Sequence, residues 1–286
     1  MKKPSYVTNK ALQTFIKAAI QEDINTGDHS TLATIPKELE QQAKLLVKEN
    51  CILAGVDMAI EIFKYVDKDL NVEVFINDGE HAKVGEIAFL VSGKAQSILT
   101  AERLVLNCMQ RMSGIATLTH EWDQRLVGTK TKLLDTRKTT PNFRICEKWA
   151  VAIGGGTNHR YGLYDMMMLK DNHIDYNGSI TNAVNMAKDY IQKNKLKLKI
   201  EVETRNLKEV SEAIDAKVDR IMLDNMDVKT MKDAVELIDG KCESEASGGI
   251  TREQLKDIAA TGVTYISAGA LTHSADNIDL SLKAVK

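Results

Sequence analysis

Apolar and polar positions along the chain fall into two regimes that meet near Gly114. In the first, helical and strand-like patterns mix without alternation. Leu12, Phe15, Ile16, Ala19 and Ile20 recur at helical spacing between Thr8 and Glu22. "AKLLVKENCILAG" (43–55) predicts two strands about a turn at Glu49–Asn50, and "VDMAIEIFKYV" (56–66) predicts a helix. "NVEVFIN" (71–77) alternates Val72, Val74 and Ile76 with polar residues, as a half-buried strand does. "IAFLVSG" (87–93) reads as a further strand and "SILTAERLVLNCMQRMSG" (97–114) as a strong helix.

After Gly114 short apolar runs alternate with amphipathic ones. The strand candidates are "KLLD" (132–135), "MMMLK" (166–170), "LKIEVE" (198–203), "RIMLD" (220–224), "CESEAS" (242–247) and "YISAG" (265–269). Helical segments such as "SITNAVNMAKDYIQKN", "NLKEVSEAIDA" and "DVKTMKDAVELI" lie between them. Buried strands alternating with helices imply a parallel sheet. Six such units predict a closed or nearly closed barrel. An open doubly wound sheet is the alternative, but no Gly-x-Gly-x-x-Gly turn follows the first strand.

The strand ends carry the chemistry. They read Asp135-Thr136-Arg137-Lys138, Lys170-Asp171-Asn172-His173, Glu201-Val202-Glu203, Asp224-Asn225, Ser247-Gly248-Gly249 and Ala268-Gly269. In a βα barrel these ends converge on the rim where active sites sit. The early units bring cations: Arg137, Lys138, His159, Arg160 and Lys170. The middle units bring the acids Glu203 and Asp224, with Glu201 a rival because period two puts it on the same face as Glu203. The late units bring Ser247, Gly248, Gly249 and Gly269, whose backbone N–H groups are unobstructed. Guanidinium forks suit carboxylates. A pair of carboxylates suits a hydrated Mg²⁺ on a diphosphate. A Ser-Gly-Gly turn leading into a helix suits a phosphate.

Charge and composition sharpen this. Between Arg137 and Lys170 six Lys or Arg face two acids, although the chain carries a net −2. That imbalance points to an anionic ligand. Arg144 and Lys148 read as helix-surface charges, and Gly154–Gly156 as a structural turn that delivers His159 and Arg160. The overall charge gives no pull toward nucleic acid or an anionic membrane, and no apolar stretch has the length of a bilayer span. The four cysteines, Cys51, Cys108, Cys146 and Cys242, lie far apart without a zinc pattern, which fits free thiols in a reducing cytoplasm.

"LLDTRKTTPNFRICEKWAVAIGGGTNHRYGLYDMMMLKDNHI" resembles the signature of the quinolinate phosphoribosyltransferase family, also called nicotinate-nucleotide pyrophosphorylase (carboxylating). "LTAERLVLNCMQRMSGIAT", "IEVET", "IMLDN", "EASGGI" and "ISAGALTHSA" resemble its other motifs, in its order. The resemblance implies an α/β fold: an incomplete (β/α) barrel at 114–270 and an N-terminal α+β open-faced sandwich domain at 1–113, rejoined by the tail 271–286. It implies a Mg²⁺-dependent pentosyltransferase. Quinolinate and 5-phosphoribosyl-1-diphosphate would give nicotinate mononucleotide, CO₂ and diphosphate, a step of NAD biosynthesis. Arg137, Lys138, His159, Arg160 and Lys170 match the family's quinolinate positions, and Thr139, which follows in the motif, is counted with the substrate-binding residues. Glu203 and Asp224 match those of the ribosyl diphosphate and its metal, and Ser247, Gly248, Gly249 and Gly269 those of the 5′-phosphate. Lys138 or Lys170 would steer decarboxylation. Arg103 matches an arginine lent to the neighbouring subunit, implying a homodimer at least. Two other readings stay open: a related transferase for another aromatic carboxylate, and a non-catalytic anion-binding barrel.

Overall fold

A computed structural model describes residues 3–285. The chain opens with helices α1 (Asn9–Ile24) and α2 (His29–Thr34), strands β1 (Glu40–Val47) and β2 (Cys51–Ile52), and helix α3 (Val56–Val66). Strands β3 (Asn71–Val74), β4 (His81–Ala82) and β5 (Ile87–Lys94) lead into the long helix α4 (Ala95–Asp123). Then come β6 (Lys132–Leu134), α5 (Arg144–Ile153), β7 (Met167–Leu169), α6 (Asp171–Asn177) and α7 (Ile180–Lys193). The pairs β8 (Ile200–Thr204) and α8 (Leu207–Asp215), β9 (Arg220–Asp224) and α9 (Val228–Ile238), and β10 (Glu243–Ser247) and α10 (Leu255–Ala259) follow. The chain finishes with β11 (Tyr265–Ser267), α11 (Ala270–His273) and β12 (Leu280–Ala284).

These elements form two units. One comprises residues 1–120, 139–155 and 270–286, and the other 121–138 and 156–269. The first holds an antiparallel sheet of order β12-β1-β5-β3. Its inward rows are apolar: Leu45 pairs with both Leu282 and Phe89, and Ala43 with Val91. Helix α3 buries Met58, Ala59, Ile62 and Phe63, spaced three and four apart, and Phe63 meets Phe89 edge-on at 5.9 Å. The pairing of β12 with β1 brings the C-terminal tail back to the first unit. The two strands expected about Glu49–Asn50 both form, and they pair separately: β1 with β5 and β12, β2 with β4.

Helix α5 follows β6 in the chain yet belongs to the first unit. It is buried nearly all round, Lys148 included. The surface placement expected for Lys148 is therefore wrong. Arg144 is half-buried and donates from Nε to the Thr139 hydroxyl at 2.9 Å. Buried Glu147 accepts from Arg111 at 3.3 Å and from the Thr140 N–H at 2.9 Å, which fixes α5 against α4. Gly154 closes that contact, because a Cβ there would strike the Ala116 carbonyl.

The second unit is a six-stranded parallel sheet of order β6-β11-β10-β9-β8-β7. That order is the cyclic order of a barrel, opened between β6 and β7. A single parallel bridge from Thr157 to Leu134 lies on the free side of β6. The expected incomplete barrel is what forms. Helices α7, α8 and α9 line the sheet, each started by a side chain accepting an N–H three residues on: Ser179, Asn206 and Asp227. Among the described residues no helix is long and apolar enough to cross a membrane.

Candidate active site

The C-terminal ends of all six parallel strands line one cavity of about 530 Å³. After β6, fully buried Asp135 accepts the His159 N–H at 2.8 Å and the Asn158 amide at 2.7 Å. This carboxylate anchors the segment that carries His159 and Arg160 beside β6. Arg137 and Lys138 follow Asp135 into the cavity wall. The Nε of Arg137 is buried with no hydrogen-bond partner among the described residues. Arg160 donates to the Met166 carbonyl at 3.2 Å. Burial, and next the Arg137 charge, hold the Arg160 guanidinium below its ordinary pKa. Two guanidiniums that repel one another, one with an unused buried donor, have the chemistry to receive an anion.

From β7, the Lys170 N–H donates to His173 Nδ1 at 3.0 Å, so His173 turns back to close the first turn of α6. The Lys170 ammonium donates to Glu203 Oε2 of β8 at 2.8 Å. From β9, Asp224 Oδ2 accepts the Asn225 amide at 2.7 Å. After β10 the backbone turns through Gly248 at φ 106° and Gly249 at φ 56°. A Cβ on Gly248 would collide with the Asn225 side chain, so only glycine fits. Helix α10 begins at Leu255 and has five residues. The turn therefore does not lead straight into a helix as expected; its exposed backbone alone can meet a phosphate.

Below the rim lies a charged floor. His159 Nε2 is 3.2 Å from both Glu201 Oε2 and Glu245 Oε2, and its Nδ1 accepts the Arg160 N–H at 2.6 Å. Arg220 reaches Glu245 at 3.0 Å and Glu243 at 3.1 Å. Burial pulls the His159 pKa down, but the Glu201 and Glu245 carboxylates 3.2 Å from Nε2 outweigh this and raise it to about 9. Burial, then the Glu245 charge, push the Glu201 carboxyl up. Burial also acts to raise Glu245, yet its bond to His159 holds it low.

Comparison with known proteins bears directly on this arrangement. The family model "Quinolinate phosphoribosyl transferase, C-terminal domain" matches residues 115–283, and its N-terminal counterpart matches 28–113. The chain belongs to the quinolinate phosphoribosyltransferase family. It is 48% identical to the nicotinate-nucleotide pyrophosphorylase [carboxylating] of Arabidopsis thaliana, over 99% of this chain and 85% of that protein. It is 42% identical to the probable enzyme of the same name from Synechocystis, over 93% and 90%. The crystallised nicotinate-nucleotide pyrophosphorylase of Francisella tularensis superposes with a TM-score of 0.91 at 38% identity, covering all of both chains.

Of the residues matched to quinolinate phosphoribosyltransferase motifs, Arg137, Lys138, His159, Arg160, Lys170, Glu203, Asp224, Ser247, Gly248 and Gly249 line the cavity. Thr139 and Gly269 do not; the Thr139 hydroxyl accepts from Arg144. Arg103 lies exposed on α4 with no side-chain hydrogen bond or ion pair among the described residues. Sequence reasoning missed Glu245 and Arg220. Period-two spacing from Ser247 and Asp224 held the signal for both.

Proposed function

We propose that this enzyme transfers the phosphoribosyl group of 5-phosphoribosyl-1-diphosphate to quinolinate with loss of CO₂, giving nicotinate mononucleotide and diphosphate. One observation carries the reading: a single cavity whose wall is divided into cationic, acidic and bare-backbone sections by strand. The Arg137 and Arg160 guanidiniums hold the two adjacent carboxylates of quinolinate. The Gly248–Gly249 backbone receives the 5′-phosphate. Glu203 and Asp224 face the sugar, where negative charge favours the cationic character that ribose C1 gains as diphosphate departs. The ring nitrogen attacks C1. The quaternised ring then stabilises the electron pair left as the neighbouring carboxylate departs as CO₂, and that ring carbon takes up a proton. Lys138 and Lys170 stand in the cationic wall and can steer that loss.

Glu203 and Asp224 also suit Mg²⁺. Both are part-exposed oxygen donors at the ends of adjacent strands, and neither belongs to the buried floor. The ion would neutralise the leaving diphosphate when bound. A homodimer in which Arg103 serves the partner's cavity fits that arginine's exposed position. It also fits the apolar wall of Leu163, Met186 and Tyr190 in a second cavity that shares Arg137 and Arg160. All four cysteines are free, which supports a reducing compartment, and we propose the cytoplasm. Two plant relatives are named as chloroplastic and mitochondrial.

The test is turnover. With Mg²⁺, the purified enzyme should release one CO₂ per nicotinate mononucleotide formed from quinolinate. Turnover of nicotinic acid in place of quinolinate would overturn the reading, as would binding of both substrates without reaction.

A further inference from the structure

The interior of a barrel-like parallel sheet is ordinarily filled by branched apolar side chains. Here it is charged. Arg220 Nη1 donates to Glu245 Oε2 at 3.0 Å and lies 3.8 Å from Glu201 Oε2, while its Nε and Nη2 reach Glu243 Oε2 at 3.2 and 3.1 Å. Its guanidinium stacks on the Tyr265 ring at 4.2 Å. The same two oxygens, Glu201 Oε2 and Glu245 Oε2, face His159 Nε2. One histidine and two carboxylates would suit a metal ion, but Arg220 already brings a cation against both carboxylates.

The geometry points to Glu245 as a positioning residue of the diacid pocket, acting through His159. Its carboxylate, tied by Arg220, stands 3.2 Å from the imidazole Nε2 and keeps positive charge on the ring at the floor of the cavity. The inference rests on the proposed reaction only for the identity of the diacid.

Charge balance supplies the reason. Two bare carboxylates under an anion site would repel its ligand. Arg220 and a cationic His159 balance Glu201 and Glu245, while Lys199 at 3.3 Å balances Glu243. Arg220 lies nearer Glu245 than Glu201, at 3.0 against 3.8 Å, so Glu245 is the carboxylate it holds more tightly. The charged groups around His159 are Glu201 from β8, Arg220 from β9, Glu245 from β10, Asp135 after β6 at its backbone N–H, and Arg160 next in the chain. The Arg160 N–H can bond Nδ1 only while the ring is neutral, because an imidazolium carries a proton there, so charging the ring costs that bond. Full charges on two carboxylates in a dry site outweigh that single peptide dipole. The raised pKa of about 9 then sets the sign. The cation is present below that pH and lost above it, so affinity for the diacid falls as pH rises through it.

The experiment is ring ¹⁵N–¹H NMR of the full enzyme without substrate, labelled in its six histidines. His159→Asn identifies the resonances. In the wild type His159 should stay doubly protonated near pH 8, about 1.5 units above the midpoint of an ordinary histidine. Glu245→Gln should lower its midpoint by about one unit or more and raise the quinolinate KM about tenfold. The ribosyl-diphosphate KM and kcat should change by less than about threefold. Glu245→Asp should restore part of the shift. Two results would overturn the inference: a wild-type His159 that titrates as an ordinary histidine, or a Glu245→Gln enzyme that loses efficiency toward both substrates in step with a lower Tm. The titration needs no turnover, so it fails separately from the proposed reaction.

Discussion

At the mouth of the cavity Lys170 and Glu203 form an ion pair at 2.8 Å whose side chains are 47% and 12% exposed. Two residues earlier on β8, Glu201 is wholly buried and faces His159, whose side chain is 4% exposed. A step of two residues moves roughly 6.5 Å along a strand and returns to the same face. The residue type is the same at both levels, but the solvent is not. At the mouth, water screens the pair and leaves each partner able to exchange it for a ligand. In the floor, desolvation makes every charge depend on its neighbours. The mouth is thus suited to binding, and the floor to fixing what stands above it.

The comparison can be broken from either side. Arg220→Met leaves Glu201, Glu243 and Glu245 without their shared cation, and denaturant unfolding should show a loss of about 3–5 kcal/mol. A loss under about 1 kcal/mol would mean that the floor is not held together by charge. Lys170→Met should act the other way. Stability should change by no more than about 1 kcal/mol, while turnover drops sharply. A large stability loss from Lys170→Met would erase the distinction between the two levels.

Much of the fold was legible because its strands are short apolar runs and its helices amphipathic. Val56–Val66 and Arg220–Asp224 lie where the periodicity puts them. Elements whose partners are distant were not legible. β12 is five residues of weak alternation that make sense only against β1, some 240 positions earlier. Lys148 misled for a related reason: a helix buried on all sides has no polar stripe, so charge on it says nothing about exposure. At the site, Arg137, Lys170, Glu203, Asp224 and Ser247 were legible as polar residues leaving buried runs, and they line one cavity. The floor was half visible. Period two marked Glu201 as facing the same way as Glu203, but depth along the strand, which decides between ligand and support, is not written in the period. Ser247-Gly248-Gly249 was found for its free backbone, but the helix assumed to follow starts six residues later than Gly249.

The claim beneath all of this is that one cavity receives a diacid and a ribosyl diphosphate on opposite walls. Calorimetry of each ligand with Arg137→Ala and with Asp224→Asn, in Mg²⁺, tests it most directly. Arg137→Ala should weaken quinolinate by about 1.5–3 kcal/mol, the loss expected for a charged hydrogen bond, and leave the ribosyl diphosphate nearly unchanged. Asp224→Asn should reverse that pattern. If either substitution weakens both ligands equally, the cavity is not divided in the way its walls indicate.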